Sequence, residues 1–192
     1  MLTTQILPIP RDITDQELIS MCMQGKDAGY TGLYQKYARR IYNSISRLIV
    51  HTAEAEDILQ ETFFNAFSDP ERLKGVLNFE AWVKRMAINK AISHLRRRKI
   101  QFADMGDMDP QAEEDYDMGE DELFNCKVED VKKSIDALAT GYKTILNLYL
   151  FEKMSQEEIA GVLGLSHATV RTQYHRAKKR ILLALKDKAY YE

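Results

Sequence analysis

The chain has little of what most kinds of chemistry require. Its two cysteines, Cys22 and Cys126, lie far apart and form no CxxC motif. That argues against a disulfide framework or a thiolate metal site, and predicts inert thiols in a reducing cytoplasm. There is no Gly-rich phosphate loop, no nucleophile motif and no cluster of metal-ligating residues. An enzyme is therefore the weakest reading, and no cofactor, metal or small-molecule substrate is expected. His167 and His175 stand eight apart without a plausible third ligand. No apolar run approaches the roughly 20 residues of a membrane helix. The opening MLTTQILPIPRDITDQ has no basic patch followed by an apolar core, so neither a secretory signal nor membrane insertion is expected. No segment reads convincingly as a strand or hairpin, and there is no internal repeat.

What is present is charge, unevenly placed. The formal net charge of -2 hides a run over 101–123 with ten acids and no Lys or Arg. The acids are Asp104, Asp107, Asp109, Glu113, Glu114, Asp115, Asp117, Glu120, Asp121 and Glu122. Taking those ten from the 29 acids leaves 19 against 27 Lys and Arg, a surplus of eight positive charges. Two basic bodies joined by an acidic, flexible strap suit a polyanionic partner, although an ordinary solvated surface would also carry such charge.

The bodies read as helical. Thr14-Asp15-Gln16-Glu17 is a capping box opening a helix that stops near Gly25. A second helix carries the stripe Tyr30, Leu33, Tyr34, Tyr37, Ile41, Ile45 and Leu48. A third is predicted over 53–67 and is broken by Asp69-Pro70. A loop then leads to Asn78, and a long basic helix over about 79–99 follows. After the strap the pattern resumes with Phe124, Val128, Val131, Ile135 and Leu138, then Ile145, Leu146, Tyr149 and Leu150. The expected fold is all-α: two small helical domains, 1–100 and 124–192, joined by a linker over 101–123.

The most specific segment is MSQEEIAGVLGLSHATVRTQYHRAKKRI. Ser155-Gln156-Glu157-Glu158 is a capping box, and Ile159, Ala160 and Leu163 face inward. Gly164 suits a tight turn needing positive φ, and Ser166 caps the next helix. Val170, Tyr174, Ala177 and Ile181 form that helix's inner stripe. The spacing of Ala160, Gly164 and Val170 is that of a helix-turn-helix. At 100° per residue, Ala168, Thr172, His175 and Lys179 lie opposite the stripe, flanked by Arg171 and Arg176. Short polar groups can approach base edges there, and the bases beyond can hold phosphates.

Two further faces stand out. On the third helix Ala55, Ile58, Leu59, Thr62, Phe63 and Ala66 make a broad inner face. Asp57, Gln60, Glu61 and Phe64 lie opposite. Phe64 fits either an interface anchor among polar groups or a core contact with the next helix. On the fourth helix the inner stripe is Phe79, Trp82, Val83 and Met86, passing to Ile88, Ala91, Ile92 and Leu95. Asn89, Lys90, Ser93, Arg96 and Arg97 face away from it, and Arg98 and Lys99 extend the run. That face suits nucleic acid with exposed bases, or plain solvation.

AEDILQETFFNAF, FEAWVKRMAINKAISHLRRRK and LATGYKTILNLYLFEKMSQEEIAGVLGLSHATVRTQYHRAKKRI together resemble the extracytoplasmic-function group of bacterial sigma factors. The resemblance covers nearly the whole chain apart from the first ten residues and the linker. It implies that Asp57, Gln60 and Glu61 dock on core RNA polymerase, and Phe64 joins them as a candidate from the same face. It implies that the loop 68–78 and the start of the fourth helix capture melted promoter bases. Asn78, Trp82, Arg85, Asn89, Lys90, Ser93, Arg96 and Arg97 are the candidates for that start-proximal element. It assigns Arg171, Thr172, His175 and Arg176 to the upstream element, and Ala168 and Lys179 join them as candidates from the same face. It also implies an anti-sigma factor as a partner, and a linker lying along the path later taken by nascent RNA. Two positions depart from the family pattern: Ala139 stands where proline is usual, and Ser93 where an acid is common. A plain DNA-binding regulator would explain the helix-turn-helix, but would leave 57–64 and the strap without work.

Overall fold

The structure, a computed structural model, describes residues 13–97 and 128–189. The acidic run 101–123, and with it the flexible-linker expectation, lies outside the described residues, as do Arg98, Lys99, Phe124 and Cys126. Among the described residues every regular element is helical: α1 (Asp15–Met23), α2 (Asp27–Ser46), α3 (Thr52–Phe67), α4 (Phe79–Arg97), α5 (Val128–Asp136), α6 (Thr140–Leu150), α7 (Gln156–Leu163) and α8 (His167–Ala189). The chain divides into two compact units, Met1–Ser93 and His94–Glu192.

In the N-terminal unit α1 starts on the expected box. The Glu17 N–H donates to Thr14 Oγ1 (3.3 Å), and the Thr14 N–H donates to Glu17 Oε2 (2.8 Å). The helix ends where Gly25 adopts φ +69°, which lets the Lys26 N–H reach back to the Met21 carbonyl at 2.9 Å. α2 then folds back on α1 at very short range. A Cβ on Gly29 would lie 2.7 Å from Cys22 N and Leu18 O, so only glycine permits this approach. The α1–α2 join is finished by Asp15, which accepts from Lys36 Nζ (2.7 Å) and from the Tyr37 hydroxyl (2.5 Å). Burial opposes the Asp15 charge, but these two bonds outweigh it and its carboxyl is held below the usual value. Cys22 is buried in the same join, and that burial pushes its thiol up to about 11.

The core holds Leu33, Ile41, Ile45, Ile58, Phe63, Phe79, Val83 and Ile92. Aromatic rings run through it: Tyr37 and Phe67 lie 5.6 and 6.2 Å from Phe79, and Phe63 lies 5.6 Å from Phe67. Tyr34 departs from the expected stripe. It is 40% exposed and meets Phe63 edge-on at 4.8 Å, so it sits at the rim of the core. The loop expected after α3 also contains a short 3-10 helix, Pro70–Leu73. Asp69 caps it by accepting from the Glu71 N–H (3.1 Å), proline fits its first turn, and Leu73 is fully buried.

In the C-terminal unit, α8 is the helix against which α5, α6 and α7 pack. Ile135, Tyr142, Leu146, Ala177, Ile181 and Leu185 form one buried cluster. α6 starts at Thr140 with no side-chain cap from Ala139. The turn after α6 places Lys153 at φ 57°, the one non-glycine among the described residues with positive φ.

Candidate nucleic-acid and protein interfaces

The helix-turn-helix is built by three local devices. Ser155 and Glu158 close the box at the start of α7, at 3.1 and 2.8 Å. Gly164 takes the left-handed conformation (φ 69°, ψ 34°), and the Leu165 N–H then donates to the Ala160 carbonyl at 2.9 Å. Ser166 accepts from the Thr169 N–H (3.0 Å) and so opens α8. Ile159, Ala160 and Leu163 of α7 and Val170 and Ala177 of α8 are buried. The opposite face of α8 presents Ala168, Arg171, Thr172, His175 and Lys179 to solvent. Arg176 is half-buried, so it stands at the side of this face. Tyr174, expected in the buried stripe, is half-buried too and packs 4.6 Å from Tyr149.

α3 answers the question that spacing left open. Ala55, Ile58, Leu59, Thr62, Phe63 and Ala66 are all buried. Asp57, Gln60 and Glu61 are exposed, and Phe64 is 72% exposed. Phe64 is thus a surface side chain beside two carboxylates, not a core contact with α4.

On α4 the inner face is Phe79, Val83, Ala87, Ile88, Ala91, Ile92 and Leu95, all buried. Trp82 is half-buried, its ring 5.9 Å from Phe79, and Met86 is half-buried. Arg85, Asn89, Ser93, Arg96 and Arg97 are exposed. Asn78 and Lys90 have structural duties that sequence reasoning did not assign. Asn78 Oδ1 accepts from the Ala81 N–H (3.0 Å), capping α4. Lys90 is half-buried and its Nζ lies 3.0 Å from Glu61 Oε1. The ion pair joins a residue expected on one interface to a residue expected on another.

Comparison with known proteins places these surfaces in a family. The family model for Sigma-70 region 2 matches residues 33–100, and that for Sigma-70, region 4 matches residues 129–181. The RNA polymerase sigma-H factor of Pseudomonas aeruginosa is 31% identical over 180 residues, 89% of this chain and 93% of that protein. The chain belongs to the extracytoplasmic-function group of RNA polymerase sigma factors. The ECF sigma factor SigW of Bacillus subtilis is 25% identical over 88% of this chain and 95% of its own length. Among solved structures, CnrH in complex with the cytosolic domain of CnrY aligns over 90% of this chain and 97% of that one, at 22% identity and a TM-score of 0.48. As a sigma factor, the chain binds core RNA polymerase and directs it to promoters. The region 2 match takes in α3, α4 and their loop, and the region 4 match takes in the helix-turn-helix. α1 precedes both.

Proposed function

We propose how this sigma factor divides its work. An N-terminal domain over 1–100 docks on polymerase through Asp57, Gln60, Glu61 and Phe64, and holds melted start-proximal promoter DNA with the loop 68–78 and the outer face of α4. A C-terminal domain over 124–192 reads the upstream element through Arg171, Thr172, His175, Arg176 and Lys179, with small Ala168 letting DNA come close. The run 101–123 links them in the cytoplasm. No helix among the described residues is long and apolar enough to cross a membrane. The factor itself performs no chemistry; catalysis belongs to the polymerase.

The observation that carries this reading is Phe64. An aromatic ring 72% exposed among carboxylates, on a helix whose other face is wholly buried, is costly in water and suits a protein partner that covers it. The same surface is open to an anti-sigma factor, which would act by occupying it first. Asp57→Lys with Glu61→Lys abolishes core binding while far-UV helicity is retained; unchanged affinity for core rejects the assignment. Arg171→Ala and Arg176→Ala each cost about 1–3 kcal/mol where they read a base, or lower the salt slope by about one where they hold a phosphate. Wild-type transcription from both variants at the native promoter rejects the assignment of α8.

A further inference from the structure

The loop between α3 and α4 is held at every step. The Ser68 N–H donates to the Phe64 carbonyl (2.8 Å), Asp69 caps the 3-10 turn, Leu73 is fully buried, and Asn78 caps α4. The Val76 N–H donates to the Leu73 carbonyl at 3.1 Å, across Gly75 at φ +80°. One further bond comes from another helix. Gln16 Nε2, on α1, donates to the Val76 carbonyl at 3.0 Å across 60 residues of sequence. That carbonyl shares a planar peptide with the Leu77 amide, so fixing its direction places the Leu77 N and Cα and leaves its own φ and χ1 to aim the side chain. Leu77 is 89% exposed, the most exposed of the large apolar side chains described.

From this we infer that Gln16 is a positioning residue for promoter recognition: α1 sets the presentation of Leu77 and its neighbours to start-proximal DNA. The inference rests on the reading that this loop contacts the melted element. α1 is itself rigidly placed, by the Gly29 approach and by Asp15 with Lys36 and Tyr37, so a bond from its first turn transmits a fixed position. An apolar side chain held outward at a loop tip can touch a thymine methyl or a base face. The matched region 2 begins at residue 33, after α1, so this support comes from the part of the chain ahead of the shared pattern.

Gln16→Glu keeps the shape and removes the donor; Gln16→Lys keeps a donor. Each is assembled with core polymerase and used to transcribe two promoter libraries, one randomised in the start-proximal element and one in the upstream element. Gln16→Glu changes preference at one start-proximal position by about 2- to 10-fold, the worth of one hydrogen bond. Gln16→Lys keeps the wild-type preference, and the upstream library gives wild-type results for both. A loss of thermal stability with both libraries unchanged overturns the inference and leaves Gln16 as a staple for α1. Leu77→Ala separates that failure from a deeper one. If Leu77→Ala shifts start-proximal preference and Gln16→Glu does not, the positioning role alone is wrong. If neither variant shifts it, the assignment of the loop to DNA falls as well, and the inference with it.

Discussion

In the C-terminal unit, the bonds that shape the helix-turn-helix join near neighbours: Ser155 with Glu158, Ser166 with Thr169, Leu165 with Ala160. In the N-terminal unit, bonds reach across the sequence. Asp15 holds Lys36 and Tyr37, Arg40 meets Glu80 at 2.9 Å, Gln16 holds Val76, and Glu61 holds Lys90. The difference has a functional consequence. A duplex-reading helix needs only the right angle to its neighbour, which a capped turn supplies. Under the proposed division of work, a surface that meets polymerase on one helix and melted DNA on the next needs those helices fixed to each other. The N-terminal surfaces should therefore respond together to a change, and the helix-turn-helix should respond residue by residue.

The sharpest way to break that contrast is Gly29→Ala. The added Cβ meets backbone atoms at 2.7 Å, and backbone cannot swing aside as a side chain can. α1 must move off α2, at a cost of about 3 kcal/mol, the upper end for overpacking. The single tryptophan, Trp82, lies on α4 and so reports on the N-terminal unit alone. Its fluorescence in urea should show an earlier transition, while binding of upstream-element duplex by the same variant stays near wild type. Loss of both in one transition would show that the units are not independent.

The same contrast explains what the sequence disclosed. Capping boxes, a left-handed glycine and an inner stripe are short-range patterns, and those in 155–181 stand in the structure as read, except that Tyr174 of the stripe is only half-buried. The inner face of α3 was equally legible, since six buried positions repeat at helical spacing. Spacing could say that Phe64 lay opposite that face, but not whether another helix covered it. Nor could it pair Lys90 with Glu61 or Gln16 with Val76, because nothing local to either partner marks the other. Tyr34 fell on the expected stripe yet sits at the core's rim, because the stripe's width depends on how α3 crosses α2. The 3-10 turn within the loop was signalled by Asp69-Pro70, a pair that also serves as a plain breaker.

A gentler probe of the coupling is Glu61→Gln. In the free factor Lys90 is half-buried against Glu61, which cancels its charge beside the exposed arginines of α4. Removing the carboxylate releases an ammonium to a phosphate. The isolated sigma factor should then bind single-stranded start-proximal DNA more tightly by roughly 1 kcal/mol, with a salt slope steeper by about one. Affinity for core should fall in the same variant, because the proposed polymerase interface loses a carboxylate. Anisotropy titrations across a salt series measure the first effect and core titration the second. An unchanged salt slope would mean that Lys90 does not face the DNA, and that the two interfaces are adjacent without being linked.

The smallest effect tests the other side of the contrast, that the C-terminal unit is governed by local geometry. Lys153 sits at φ 57°, where a side chain's Cβ crowds the following carbonyl and costs about 1–2 kcal/mol. Glycine would relieve that crowding but lose more chain entropy on folding, leaving a net gain of about 0.5 kcal/mol. Alanine keeps the crowding and removes only the charged arm, so Lys153→Ala should be neutral for stability. The place to look is the turn itself, where the Met154 N–H donates to the Leu148 carbonyl at 3.2 Å. Hydrogen exchange at Met154 should slow about twofold in Lys153→Gly and stay at the wild-type rate in Lys153→Ala. Faster exchange in the glycine variant would mean that the lysine side chain, and not the backbone angle, holds the turn, and that even this stretch depends on contacts beyond its neighbours.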